Sequence, residues 1–522
     1  MKRHVGLPCR LSVLVFGVLS GLACAPRGTV SVHVRMISQQ EAYFRNEVVP
    51  AFDKHERVDV RVIPYSTIDT LPQLLRSQEQ VGLIKIPFDK GPLLCRLGLI
   101  RPLEDILTPE ELREYKNDYV LTSLGSFDGR HYLIPRKFET RIMVYRKSKV
   151  ADAVVLFDKH RFAIDSVLKT FNGKGLPSGY FLEEDPNEWD YFDIFCVGWI
   201  WAHTPYGETI SPRIGHRGRR YSGTALRIVD RVYQCGGDST SVLSMSGESV
   251  LDAFHWEALY ACASVYNHRM WENSWDGTQI WQGFRTNDVF LAFMTQLDCF
   301  FIHGTGQDSL EGYLEDPDDM GVALMPTGCS PLLSEAGAVA RQGAKSVTTG
   351  GWWWGIPKNT ADPRLAYRLA RHFTSTTTQI QECTRFGMIP VKKDILGDMS
   401  MMFGGGWITG VYETSFKQLV ENRSVVVPTN PHYGQISSLY LDAWYDIVVE
   451  RNWSPDRQRP DRAAPLVGAS LRSGISTRLL QQFSGADEDR PLSVEEYIRE
   501  VVRRYQDRYS ETELARLLGL GR

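Results

Sequence analysis

Two hydrophobic periods alternate along the start of the chain, and that alternation limits its possible folds more than any other feature. "TVSVHVRMIS" places apolar residues at every second position, the pattern of a half-buried strand. "EAYFRNEVVPAFDKHER" then sets Phe44, Val48 and Phe52 four residues apart, which is one face of a helix. "VDVRVIPYS" returns to period two through Val58, Val60 and Val62. Strand, helix, strand is the opening of an α/β domain.

The rest of the chain continues in this style. "QLLRSQEQVGLIKIP" and "PLLCRLGLIRPLEDIL" read as a helix, a buried strand and a second helix. Gly125–Ser148, "GSFDGRHYLIPRKFETRIMVYRKS", reads as a turn and strand, a loop after Pro135, and a strand running to Tyr145. "NDVFLAFMTQLDCFFIHGTG" reads as a helix leading into a strand, and "MGVALMPTG" as a short strand. In "SVTTGGWWWGIPKNTADPRLAYRLARHFTS" a strand precedes a helix that should begin near Asp362 and Pro363. Arg451–Gly474, rich in Arg, Pro and Gly, reads as a surface loop or partly disordered insert. "SVEEYIREVVRRY" opens with a capping box, Ser493 and Glu496, and carries an apolar helical face that needs a partner.

The N-terminus has the parts of an export signal. Lys2 and Arg3 give a cationic start, Leu11–Leu19 a short apolar run, and "SGLAC" a stretch of mostly small residues before Cys24. The run is shorter than the roughly 20 residues that span a bilayer. A lipoprotein-type signal peptide over 1–23, with Cys24 as the lipidated residue and 24–30 as a tether, is therefore expected to place the protein outside the cytoplasmic membrane. The body is 43% hydrophobic and 23% charged, an ordinary globular composition. Its net charge of −3, more negative once Lys2, Arg3 and Arg10 leave with the leader, supplies no general field for nucleic acid. Seven cysteines follow Cys24 without a CxxC spacing, which argues for buried thiols over a zinc or redox motif.

Catalytic signatures are missing: HExxH, GxSxG and GxxxxGK[ST] do not occur. "DPDDMG" lacks the carboxylates a calcium loop needs at its fifth and twelfth positions. "FLEEDPNEWDYFD" gathers acidic residues that could hold a glycosidase acid/base pair or form a solvated loop. The basic run Arg213–Gly223, "RIGHRGRRYSG", could bind a phosphate or form an exposed flexible loop. No cofactor or metal site is expected.

Taken in order, "VVPAFDKHERVDVRVI", "LGLIRPLEDIL", "FDGRHYLIPRKFETRIMVYRKS", "GVALMPTG", "GGWWWGIPKNTADPRLAYRLARHFTS", "GMIPVKKD" and "SVEEYIREVV" resemble the extracytoplasmic solute-binding proteins of ABC importers, particularly the oligosaccharide-binding family that includes maltose-binding protein. The resemblance implies two α/β lobes of the type II periplasmic-binding fold, joined by a hinge crossed three times, with the ligand between them. The crossings would fall near Tyr145–Ser148, Leu324–Thr327 and His372–Ser375. That assigns 31–146 and 327–373 to the first lobe and 147–326 and 374–450 to the second. An insert at 451–490 and C-terminal helices over 491–522 would complete the chain. It implies a monomer without catalysis that hands a carbohydrate-like ligand to permease subunits driven by a separate ATPase.

The same resemblance implies ligand contacts at Gln40, Asp89, Glu139, Arg141, Trp189, Asp190, Tyr191, Phe301, Gly351, Trp352 and Tyr440. A sugar has apolar C–H faces and a hydroxyl rim, so aromatic platforms with charged groups at their edges suit it. Within "GGWWWG" the three tryptophans cannot all be platforms, since alternation sends Trp353 to the side opposite Trp352 and Trp354. Trp352, beside the glycines, is expected at the cleft, with one or both of the others in the core.

Overall fold

Residues 28–450, apart from 78–80, 207–210, 307–309, 397–405, 422–424, 429 and 431, together with 494–508, are described by a computed structural model of the chain. Strands β1 (Thr29–Val34), β2 (Asp59–Pro64) and β3 (Leu83–Pro87) come first, then the small hairpin β4 (Ser126–Phe127) and β5 (Arg130–His131), then β6 (Leu133–Lys137). Next are β7 (Arg141–Arg146), β8 (Ile214–Gly215), β9 (Leu291–Thr295) and β10 (Met320–Ala323). The last three are β11 (Thr348–Thr349), β12 (Trp352–Gly355) and β13 (Val425–Val426).

Two sheets organise the two lobes. The first has the order β2-β1-β3-β12-β6 and the second β10-β7-β9-β8. In the first, β1 runs parallel to both β2 and β3, while β12 returns antiparallel between β3 and β6. All five residues of β3 are buried, as a central strand covered on both faces requires. The expected helical face of Phe44, Val48 and Phe52 is buried, and Phe44 packs against Phe373 at 5.1 Å between ring centroids. Phe373 ends the helix Pro363–Phe373, whose start is set as expected: the Asp362 carboxylate accepts the Leu365 N–H at 2.9 Å, and Pro363 occupies the first turn.

The second lobe is mainly helical around its small sheet. Its interior is tied to one carboxylate, Glu257, which is fully buried. Arg227 donates to it at 2.9 Å, Arg231 at 3.1 Å, Tyr266 at 2.8 Å and Trp444 at 2.8 Å. These donors come from the helices Ser222–Gln234 and Tyr433–Trp444 and from the segment after Glu248–Cys262, so one residue clamps three elements. The C-terminal helix Val494–Arg508 packs on this lobe: Arg499 pairs with Glu248 and the Tyr505 hydroxyl donates to Asp446 at 2.8 Å.

Strand pairing moves the lobe boundaries from their expected places. β7 is hydrogen-bonded to β9 and β10, so 141–146 belongs to the second lobe and the first crossing is Phe138–Thr140 rather than Tyr145–Ser148. The second crossing lies beyond Leu324–Thr327: Thr327 N donates to Trp189 O, and Thr348 N still donates to Asp230, so the chain leaves the second lobe only at Thr349–Gly351. The helix Thr376–Phe386 stays on the first lobe, because Glu382 accepts from Arg136 and Gln40 there, which removes His372–Ser375 as the third crossing. By Trp407, which begins the helix Trp407–Phe416, the chain is in contact with the second lobe, where the Trp407 ring stacks on His303.

One local order is reversed. "LAFMTQLDCFFIH" is a strand followed by a helix, because Asp298 accepts from Thr295 N and Oγ1 at 2.9 and 2.7 Å and so starts the helix there. The seven cysteines among the described residues are all buried. No described helix is long and apolar enough to cross a membrane. The leader, Cys24, Ser493, the 451–490 insert and 509–522 lie outside the described residues.

Candidate functional site

The first two crossings run side by side and form the floor of a groove. Thr349 Oγ1 donates to Glu139 O at 3.0 Å, and Phe88 N donates to Gly351 O at 3.1 Å. Gly351 has φ +65°, and a Cβ there would collide with the Lys137 carbonyl oxygen, so only glycine fits. A register shift between Trp352 and Trp353 follows at once. Trp352 emerges half-buried on the groove wall, with the Lys85 ammonium 4.1 Å from its ring centroid. Trp353 is buried against Phe88 and Phe138, its indole N–H donating to Gly350 O at 2.7 Å. Trp354 is buried beside Phe373.

The facing wall comes from the second lobe. The run Arg213–Gly223 is an ordered element here: Arg213 is buried, 214–215 form β8, and Arg217, Arg219 and Tyr221 reach the groove. Asp276 caps the helix Gly277–Arg285 by accepting from Thr278 N at 3.1 Å, and that helix carries Trp281. The Trp281 indole donates to Asp298 at 2.9 Å, and its ring stacks on Phe301 at 4.2 Å, 3° from parallel.

The central cavity between these walls measures about 420 Å³. Cavities of about 490 and 460 Å³ adjoin it, the first sharing Ile68 and the second sharing Met36, Ile37, Thr278 and Trp281. Together they make a groove longer than one sugar ring, with both half-exposed tryptophans and most of the charges in its middle. Burial there raises the Asp89 carboxyl and the Tyr221 phenol above their usual ranges. Burial and then the neighbouring Arg136 and Lys137 push the Lys85 ammonium well below its own. At Glu139 burial works upward, but the paired Lys137 together with Lys85 and Arg217 holds the carboxyl below its usual value.

Comparison with known proteins agrees with this architecture. The family model for bacterial extracellular solute-binding proteins matches residues 47–401. The chain belongs to that family. Maltose-bound MalE3 of T. maritima superposes on this solute-binding protein with a TM-score of 0.61 at 13% identity, over 92% of this chain and 100% of that one. Lmo0181 of Listeria monocytogenes, in complex with cycloalternan, gives 0.61 at 10% identity, over 94% and 99%. The Thermus thermophilus maltotriose-binding protein gives 0.57 at 11%, over 92% and 99%. These likenesses establish the two-lobe fold. No curated protein matches in sequence.

The expected contact residues of this solute-binding protein divide into two sets. Gln40, Asp89, Glu139, Arg141, Gly351 and Trp352 line the groove. Arg141 spends its guanidinium on Asp230, at 2.9 Å, and on Thr348 O, at 2.7 Å, and Gln40 donates to Glu382 at 2.8 Å; both hold the wall in shape. Four of the other five lie elsewhere, and Phe301 lines the adjoining part of the groove. Trp189 is buried with its indole donating to Glu183 O, and Tyr191 is buried with its hydroxyl on Gln234. Tyr440 is buried against Phe254 and donates to Val242 O at 3.0 Å. Asp190 caps the helix Tyr191–His203, and Phe301 sits behind Trp281 on the adjoining cavity. Buried rings of this kind offer no face to a ligand. Lys85, Arg217, Tyr221, Trp281 and Asp298 were missed in the sequence, although the basic run held two of them.

Proposed function

We propose that this protein captures a saccharide in the groove between its lobes and delivers it to an ABC permease powered by a separate ATPase, acting as a monomer anchored by lipid at Cys24. The observation that carries the reading is the pair Trp352 and Trp281, one from each lobe, flanking a groove rimmed with charged side chains. Each ring supplies apolar area for a sugar face, and Asp89, Tyr221 and the neighbouring cations supply directional hydrogen bonds. Placing the two platforms on different lobes lets the ligand favour lobe closure, the conformational signal a permease can read. Maltose, cycloalternan and maltotriose complexes of proteins with this fold support the ligand class.

Binding without catalysis is the better reading of the acidic cluster. Asp190 and Asp193 are spent on a capping box, and Glu188 pairs with Lys345 at 3.1 Å. A thermal-shift panel of mono- and oligosaccharides, peptides and metal ions on residues 25–522 tests the proposal. A saccharide at a hundredfold over its Kd should add about 2.7 kcal/mol of stability. A shift with peptides or metals and none with saccharides refutes it.

A further inference from the structure

The groove carries seven basic side chains, and five of them already have a carboxylate. Lys137 pairs with Glu139, Arg141 with Asp230 at 2.9 Å, Arg217 with Asp298 at 3.7 Å, Arg219 with Asp276 at 3.8 Å and Arg227 with Glu257 at 2.9 Å. Lys85 and Arg35 are the two left over. Among the described residues no carboxylate lies within ion-pair distance of either, and the Arg35 guanidinium makes no hydrogen bond. Lys85 is 2% exposed on β3; its ammonium has one protein acceptor, Arg35 O at 2.5 Å, and the face of Trp352. Asp89 is the one carboxylate of the groove without a basic partner in ion-pair contact.

We propose that the saccharide bound here carries a negative charge, a carboxylate, phosphate or sulfate substituent, held by Lys85 and Arg35 beside the Trp352 platform. The inference rests on the saccharide reading of the groove and narrows it. A buried ammonium with one acceptor is costly, since water no longer solvates it and the carboxylates that act on it, Glu139 and Glu382, do so from beyond ion-pair contact. The protein answers this need at five of the seven cations with its own acids, which makes the sixth and seventh a distinct feature of the groove. Both lie on the first lobe, at the end of β1 and in β3, and the Lys85 ammonium donates to the Arg35 carbonyl. An anionic substituent accepts from the free donors of the ammonium and from the planar fork of the guanidinium while the ring of the same sugar meets Trp352.

The test is isothermal titration of residues 25–522 with matched pairs: galacturonate against galactose oligomers, glucose 6-phosphate against glucose, and sulfated against unsulfated disaccharide, with inorganic phosphate and sulfate alone. At least one acidic member should bind about tenfold or more tightly than its neutral partner. Which pair shows it identifies the substituent. Arg35→Gln, at a half-exposed position, and Lys85→Met should each erode that preference by weakening the acidic partner more than the neutral one, with circular dichroism confirming the fold. Arg35→Gln decides alone if Lys85→Met does not fold. Neutral saccharides binding as tightly as every acidic partner, a preference that survives substitution, or inorganic anions binding as tightly as the charged sugar overturns the proposal. Binding of neutral saccharides alone defeats this inference and leaves the saccharide reading standing; binding of none defeats both.

Discussion

Glu257→Gln removes the charge from the carboxylate that organises the second lobe, and its cost follows from the contacts. The side chain is fully buried and accepts from Arg227, Arg231, Tyr266 and Trp444. The two guanidinium groups hold its carboxyl far below the usual carboxylate range against the upward pull of burial. A glutamine keeps the shape but leaves two buried cations without a counter-charge, and its amide nitrogen points a donor at donors. Breaking a buried pair by removing one partner costs about 3–5 kcal/mol, and here one acid serves two bases. The helix Ser222–Gln234 carries both Arg227 to the groove and Asp230 to Arg141, so a looser clamp should weaken ligand binding as well. Urea unfolding followed by far-ultraviolet circular dichroism should show the loss as a lower midpoint at unchanged slope. Joint replacement of Glu257 by Leu and of Arg227 and Arg231 by Met should recover part of it, because apolar residues replace a buried ionic cluster at little cost. A loss below about 1 kcal/mol for Glu257→Gln, the range of exposed pairs, would refute the clamp.

Gly351→Ala should destabilise the protein by about 1–3 kcal/mol and weaken ligand binding, since it puts a side chain at φ +65° and against the Lys137 carbonyl at the crossing; unaltered melting and affinity would show that the crossing yields freely. His216 and His255 should each lower stability as pH drops from about 6.5 towards 4. Burial holds His216 well below its usual range and His255 at about 4, so both stay neutral in the fold while the unfolded chain takes up protons near 6.5. The contribution is present above that window, is lost through it, and amounts to a few kcal/mol at the order-of-magnitude level. Burial raises the Asp89, Asp190 and Asp193 carboxyls, the last to about 7, and these work in the opposite sense. His255→Gln, which does not titrate, should flatten the melting-temperature profile between pH 5 and 7; an unchanged slope would remove His255 from the account.

The elements with clean periods were legible. β1, the helix after it and β2 stand where alternation placed them, and Asp362–Pro363 marked a helix start that the hydrogen bonds reproduce. The glycine pair beside Trp352 marked it for the groove, whereas the two-residue period grouped it with Trp354, which the structure buries. Lys85 was not legible, because "LIKIP" reads as an unbroken buried strand and only the sheet order shows that its lysine meets a tryptophan from β12. Trp281 was hidden for a similar reason: it reaches the groove through a helix end fixed by Asp276, far from Phe301 in sequence. Trp189, Tyr191 and Tyr440 came from similarity of segments, and a shift of one residue on a helix turns a side chain by about 100°, from groove to core. The order of the strand and helix in 291–303 turned on a capping carboxylate, which a continuous apolar run conceals.

If a saccharide binds between the lobes against Trp352, isothermal titration of the most stabilising saccharide into the wild type, Trp352→Ala and Tyr440→Phe will show it. One saturable site is predicted in the wild type and in Tyr440→Phe, whose ring is core packing, with affinity lowered at least about tenfold in Trp352→Ala at nearly unchanged melting temperature. Full affinity in Trp352→Ala together with its loss in Tyr440→Phe would contradict the account and place the site in the second lobe.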